Sequence, residues 1–183
     1  MPEQQRVLIL PGWQNSGPGH WQSLWEAQHG FERVQQADWQ RPLRGDWMAQ
    51  LEQAVLESDH PVALVAHSLG CQLVAAWAAH SRHTARVTAA LLVAPPDTAR
   101  QDMPAQLATW RNIVRQRLPF ASRLVYSSDD PFCTVDRALA MAADWGAQPH
   151  ALGAAGHINA DTGLGDWPQG LAWLRALQAT AAP

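Results

Sequence analysis

Apolar residues fall into two patterns along this chain. Short runs dense in Val, Leu, Ile and Ala alternate with segments whose apolar residues recur every three or four positions. The runs Arg6–Leu10, Val62–Ala66, Val87–Ala94 and Arg123–Ser127 predict strands, most of them buried on both faces. Glu32–Ala37 predicts a weaker strand near a sheet edge, and Gln148–Leu152 a last short one. The second pattern predicts helices over His20–His29, Gly45–Ser58, Leu69–Ala79, Pro104–Arg117, Thr134–Trp145 and Trp167–Ala179. In Gly45–Ser58, for example, Trp47, Met48, Leu51, Ala54 and Val55 share one face. Strand and helix alternate from end to end. The expectation is one α/β domain over residues 1–183, with a mostly parallel sheet of about six strands, helices on both faces and right-handed crossovers. The Ala179–Pro183 end is expected to fray.

Composition narrows the function classes. With 183 residues, 47% hydrophobic and 16% charged, the chain has the make-up of an ordinary globular protein. A net charge of −3 supplies no basic field, so neither nucleic acid nor a membrane surface is an expected partner. No run of 18 apolar residues and no signal peptide is apparent, which predicts a cytoplasmic location. Cys71 and Cys133 form no metal or redox motif and read as small buried residues. No histidine pair has helical ligand spacing with a nearby glutamate, so no metal site and no cofactor is expected. The ten tryptophans, several crowded into the first quarter, read as core filler whose indole N–H needs a partner.

The stretch around which the rest is organised is Pro61 to Ala79. A buried strand there runs into Ala66-His67-Ser68-Leu69-Gly70 and then into a helix. This is the strand–turn–helix of a nucleophile elbow, G-x-S-x-G, with alanine at the first glycine position. The strained turn presents the serine hydroxyl, small residues are needed on either side, and the new helix offers free N–H groups. Ser68 is thus the candidate nucleophile, and the Leu69 N–H a candidate oxyanion donor. The alternative is a serine that merely caps a core helix. Ala66 keeps the small-residue requirement at the cost of one methyl.

A nucleophilic serine needs a histidine to take its proton and a carboxylate to hold that histidine, in the chain order Ser, acid, His. His150 falls inside a predicted strand, whereas His157 lies in the loop after it, so His157 is the candidate base. In Ser128-Asp129-Asp130-Pro131-Phe132, Pro131 biases Asp130 to an extended conformation, and Asp130 is preferred over Asp129. Asp129 or Asp136 would cap the helix near Thr134 more naturally. The loop after the first strand should supply the second oxyanion donor, the Trp13 N–H, with Gln14 as fallback. His20 and Phe132 are candidate substrate contacts, and His67 reads as a packed, hydrogen-bonded histidine.

Pro11-Gly12-Trp13, Ser16-Gly17-Pro18-Gly19-His20-Trp21-Gln22-Ser23, Asp38-Trp39 with Pro42 and Trp47, His67-Ser68-Leu69-Gly70, Ser128-Asp129-Asp130-Pro131-Phe132 and Gly156-His157 occur in one order. Together they resemble the small α/β-hydrolases of the YdeN / retinoblastoma-binding protein 9 family, over about residues 5–178. The resemblance implies a compact α/β-hydrolase sheet and a serine-hydrolase mechanism with Ser68, Asp130 and His157 as the triad. Ala66 departs from the glycine frequent in such enzymes. Some members are known chiefly as binding proteins.

These readings predict a cofactor-independent serine hydrolase that cleaves small carboxylic esters, or amides, through an acyl-enzyme. Only about 28 residues separate the strands 87–94 and 123–127, which leaves room for one helix and no cap domain. The cleft should be open and roofed by Trp and Phe side chains. The alternative from another class is a protein-interaction module that keeps the scaffold with little turnover. A protein partner is otherwise left unspecified.

Overall fold

In the computed structural model, residues 5–180 are described. Six strands form one sheet: β1 Arg6–Leu10, β2 Glu32–Arg33, β3 Val62–His67, β4 Val87–Val93, β5 Ala121–Tyr126 and β6 Gln148–Ala151. Their order is β2-β1-β3-β4-β5-β6, and every pairing is parallel. Four α-helices connect strands, α1 Trp21–His29, α2 Arg44–Leu56, α3 Leu69–His80 and α4 Val135–Trp145, and a fifth, α5 Pro168–Thr180, follows β6. All of β3 is buried, as an apolar run in a parallel sheet should be. The edge strands are the polar ones. β2 shrinks to two residues, and β6 carries Pro149, which an edge tolerates because it lacks an N–H.

The two faces of the sheet have separate cores. Trp47, Leu51 and Val55 of α2 join most of α3, and Ala138, Met141 and Trp145 of α4, on one face. On the other, Trp21 and Trp25 of α1 pack with Leu171, Leu174 and Leu177 of α5. The tryptophans fill space and also fasten loops. Trp21, Trp47, Trp110 and Trp145 are almost wholly buried, and their N–H groups donate to the carbonyls of Ile158, Asp38, Pro42 and Val114.

One predicted element is not formed. In place of a helix over 104–117 there is a 3₁₀ segment, Ala105–Trp110, followed by irregular chain. Carbonyls at its end and beyond it are claimed by side chains from elsewhere. Thr98 donates to Trp110 O, Arg44 to Asn112 O and Trp145 to Val114 O. A carbonyl held by a distant donor is drawn away from the continuing i→i+4 ladder. The tertiary contacts therefore override a serviceable helical pattern. The 94–120 connection holds that one short 3₁₀ segment and no cap domain. At the C-terminus α5 continues through Thr180, so the expected fraying of 179–183 finds helix at its first two residues, and 181–183 lie outside the described residues.

Candidate active site

The loops after β1, β3, β5 and β6 converge at the carboxyl edge of the sheet, where the strand order reverses between β1 and β3. Ser68 sits between the end of β3 and the start of α3 with φ 54° and ψ −124°, a conformation that costs an ordinary residue strain. Its own N–H donates to Val93 O at 2.9 Å, which ties the turn to β4.

Small residues are needed around it, for reasons that differ position by position. A Cβ on Gly70 would collide with the Leu10 carbonyl oxygen, so α3 leaves the elbow pressed against the end of β1. A Cβ on Gly12 would stand 2.8 Å from the Ser68 Cβ and 3.2 Å from the Leu69 N. The loop after β1 therefore rests directly on the elbow. Ala66 is fully buried, paired with Leu10 and Leu92 in the sheet.

His157 Nε2 lies 2.8 Å from Ser68 Oγ, and its Nδ1 lies 2.9 Å from Asp130 Oδ2 and 3.0 Å from Oδ1. An ionised carboxylate can only accept, so Nδ1 carries the proton and Nε2 is free to accept from the serine hydroxyl. Asp130 Oδ1 also accepts the Phe132 N–H at 2.9 Å. The Asp130 side chain is 3% exposed. Asp129 points elsewhere. Its Oδ1 accepts from the Ser127 hydroxyl at 2.7 Å and from the Gly156 N–H at 2.8 Å. Those bonds, the Ser127 one foremost, hold its carboxyl below the usual range. Neither Asp129 nor Asp136 caps α4, because Thr134 does so itself, accepting the Arg137 N–H.

In the loop after β1, the Gln14 N–H donates to Trp39 O at 3.0 Å, which removes the fallback donor. Trp13 lines the cleft beside Ser68. The Leu69 N–H belongs to the first turn of α3, where no intrahelical acceptor exists. His67 is a hydrogen-bonded core histidine, its Nε2 2.9 Å from the His157 carbonyl oxygen.

His20 lines the same cleft but is 4% exposed and caps α1, its Nδ1 accepting the Gln22 N–H at 3.1 Å. Its Nε2 is buried without a partner. Burial first, then the charges of Arg33 and His157, lowers its pKa to about 4. Phe132, 46% exposed, stands with its ring 4.7 Å from that of His157. The cleft encloses about 570 Å³, with Leu69, Met103, Leu107 and Phe132 among its apolar walls. Among the described residues, no group of three or more His, Cys, Asp or Glu is arranged to hold a metal.

Gln22 is a further site residue that the periodic pattern conceals. It is fully buried on the first turn of α1. Its amide donates to Leu10 O and Val65 O, each at 3.2 Å, and accepts from Ser16 Oγ at 2.8 Å. It thereby fastens β1 and β3 just below the elbow. Its one sequence signal is a polar residue beside Trp21 in the stretch Ser16–Ser23.

The family model described as "Serine hydrolase" matches residues 7–176. The chain belongs to that family. A solved structure similar to this serine hydrolase is a YdeN-like hydrolase from Pectobacterium atrosepticum, 26% identical, with a TM-score of 0.87 over 98% of this chain and 94% of that one. The ydeN gene product of Bacillus subtilis is similar too, at 18% identity and a TM-score of 0.74 over 96% of this chain and all of that one. The fold likeness extends to the Est1E protein of Butyrivibrio proteoclasticus, solved with ferulic acid, at 10% identity and a TM-score of 0.69 over 97% and 88%. No curated protein matches this hydrolase by sequence. Sheet, connections and helices are those of a compact YdeN-like α/β-hydrolase without a cap.

Proposed function

We propose that this serine hydrolase, working as one domain, cleaves small carboxylic esters through a Ser68–His157–Asp130 triad and an acyl-enzyme. The observation that carries the reading is the unbroken hydrogen-bond chain, Ser68 Oγ to His157 Nε2 at 2.8 Å and His157 Nδ1 to Asp130 Oδ2 at 2.9 Å. His157 takes the Ser68 proton as Oγ attacks the ester carbonyl. Asp130 holds the ring in the needed tautomer and offsets the charge of the imidazolium that forms. The Leu69 and Trp13 N–H groups receive the oxyanion. When the tetrahedral intermediate collapses, the C–O bond to the leaving group breaks and His157 returns its proton to the departing alcohol. Water, deprotonated by His157, then releases the acid and restores Ser68. Amides are the alternative substrate, with an amine as leaving group.

An open cleft with Met103, Leu107 and Phe132 on its walls suits modest acyl groups. His20 is assigned to a substrate contact, because it lines the cleft beside Ser68 and its ring is neutral. Among the described residues no helix is long and apolar enough to cross a membrane. Cys71 and Cys133 are free and buried, which fits the cytoplasmic setting included in this reading.

The test combines a fluorophosphonate probe with p-nitrophenyl esters of graded chain length and aminoacyl arylamides alongside. The probe should modify Ser68 alone, and Ser68→Ala should neither label nor turn over. Labelling at Ser16, Ser127 or Ser128 would overturn the assignment. Full resistance of the parent, with no ester hydrolysed, would favour an interaction module on the same scaffold.

A further inference from the structure

His157 stands between two residues in the left-handed region, Gly156 at φ +56° and Ile158 at φ +50°. For glycine that conformation carries little cost. For a β-branched residue it is a genuine outlier, and such residues persist only where their surroundings over-determine them. The Ile158 side chain is wholly buried. Three consecutive residues here each have a main-chain group held by a side chain from a different element. The Gly156 N–H donates to Asp129 Oδ1 at 2.8 Å, in the loop after β5. The His157 carbonyl accepts from His67 Nε2 at 2.9 Å, at the end of β3. The Ile158 carbonyl accepts from the Trp21 indole N–H at 2.9 Å, at the start of α1.

We propose that His67, Trp21 and Asp129 are positioning residues that clamp the strained loop carrying His157, so that the base is held at hydrogen-bond distance from Ser68. His67 matters most, because it is the residue before the nucleophile. Its hydrogen bond joins the elbow directly to the loop of the base, without passing through the core. The clamp needs a proton on His67 Nε2, which the neutral ring supplies in that tautomer. Burial, foremost, and the neighbouring His157 and His20 push its pKa well down, which keeps the ring uncharged. Buried polar groups find partners in any fold. What sets this case apart is the strain: without its clamps, the loop gains by relaxing Ile158, and relaxation moves His157.

The inference rests on the reading of His157 as the general base. The test is kcat and KM on a p-nitrophenyl ester, with fluorophosphonate labelling rate and the pH profile of kcat/KM. His67→Leu removes the donor and His67→Gln restores an N–H at similar reach. Trp21→Phe removes the indole N–H and the ring that carries it, at a residue buried in the core. Asp129→Ala acts at an exposed residue outside both cores, and Asp129→Asn keeps an acceptor. A misplacement of about 1 Å costs about 10²-fold in rate. His67→Leu should therefore lower kcat about 10²-fold with KM within about twofold. It should also shift the acidic limb of the pH profile, and His67→Gln should recover most of the loss. Asp129→Ala should lower kcat about tenfold, with Asp129→Asn near the parent. The His67→Leu, Trp21→Phe double variant should lose less than the product of the single losses, since both release one loop.

Folded variants that keep kcat and labelling rate within twofold of the parent overturn the clamp. If the two core variants do not fold, the Asp129 pair decides, and equal activity of Ala and Asn there overturns it. A parent that neither labels nor turns over any ester removes the base assignment itself, a failure distinguishable from that of the clamp.

Discussion

Asp129 and Asp130 are adjacent in the chain and grip the same loop at two different atoms. Asp130 Oδ2 accepts from His157 Nδ1 at 2.9 Å, and Asp129 Oδ1 accepts from the backbone N–H of Gly156 at 2.8 Å. Asp129 lies in the turn after β5 and Asp130 just past it, and one carboxylate reaches the ring while the other reaches the main chain. The division of labour sets unequal costs. Asp130→Asn should lower kcat by orders of magnitude, the chymotrypsin-type precedent being about 10⁴-fold, because the orienting charge and the tautomer are lost. Asp129→Asn should cost much less, because its amide oxygen still accepts. Steady-state kinetics of the two variants gives the ranking, and a reversed order would exchange their roles.

Gly12 should be as unforgiving as the elbow itself. An alanine Cβ there would meet the Ser68 Cβ at 2.8 Å and the His67 carbonyl at 3.2 Å. Overpacking typically costs about 1–3 kcal/mol, and here it also displaces Ser68. Gly12→Ala should lower kcat by about 10–10²-fold. Gly17→Ala, in the same loop, meets nothing within 4 Å and should leave kcat and melting temperature unchanged. Equal behaviour of the two would show that the β1 loop can withdraw from the elbow.

Ala66 is a tolerated departure. It is fully buried between Leu10 and Leu92, with Cys71 in the same core. Ala66→Gly should stay within about tenfold of the parent in kcat/KM, while Ala66→Val adds two carbons to closed packing and should cost about 1–3 kcal/mol with a loss of turnover. Melting temperature and kcat/KM decide. A fully stable, active valine variant would place residue 66 outside the packed elbow.

Stability should fall in mild acid. The His20 pKa is lowered from 6.5 to about 4 by burial and then by Arg33 and His157. Between those values the unfolded chain binds a proton that the folded ring refuses. Folding stability is thus fully present above pH 6.5 and falls by about 1.4 kcal/mol per pH unit as the pH drops through the window. His67, lowered by burial foremost, contributes in the same direction. Denaturant unfolding from pH 7 to 5, above the range where carboxylates titrate, should show the slope. His20→Asn, which keeps a side-chain cap for Gln22, should make it shallower. A flat profile would mean that water reaches the ring.

The sequence by itself settled what depends on near neighbours in the chain. The continuous apolar runs fixed a parallel sheet buried on both faces, because alternation would be needed for a half-exposed one. The order of serine, aspartate and histidine, each just after a strand, located the groups that the fold gathers at one edge. Main-chain geometry made Asp130 a better choice than Asp129, through Pro131. Only the tertiary structure decided the rest, because the partners are remote in sequence. The helical pattern of 104–117 yields to Thr98, Arg44 and Trp145, which take its carbonyls. Gln14 drops out as an oxyanion donor because Trp39 takes its N–H. Asp129, readable as a cap, instead reaches a glycine 27 positions away. A hydrogen bond of that range leaves no periodic trace in the chain, since its two ends meet only after the sheet has formed.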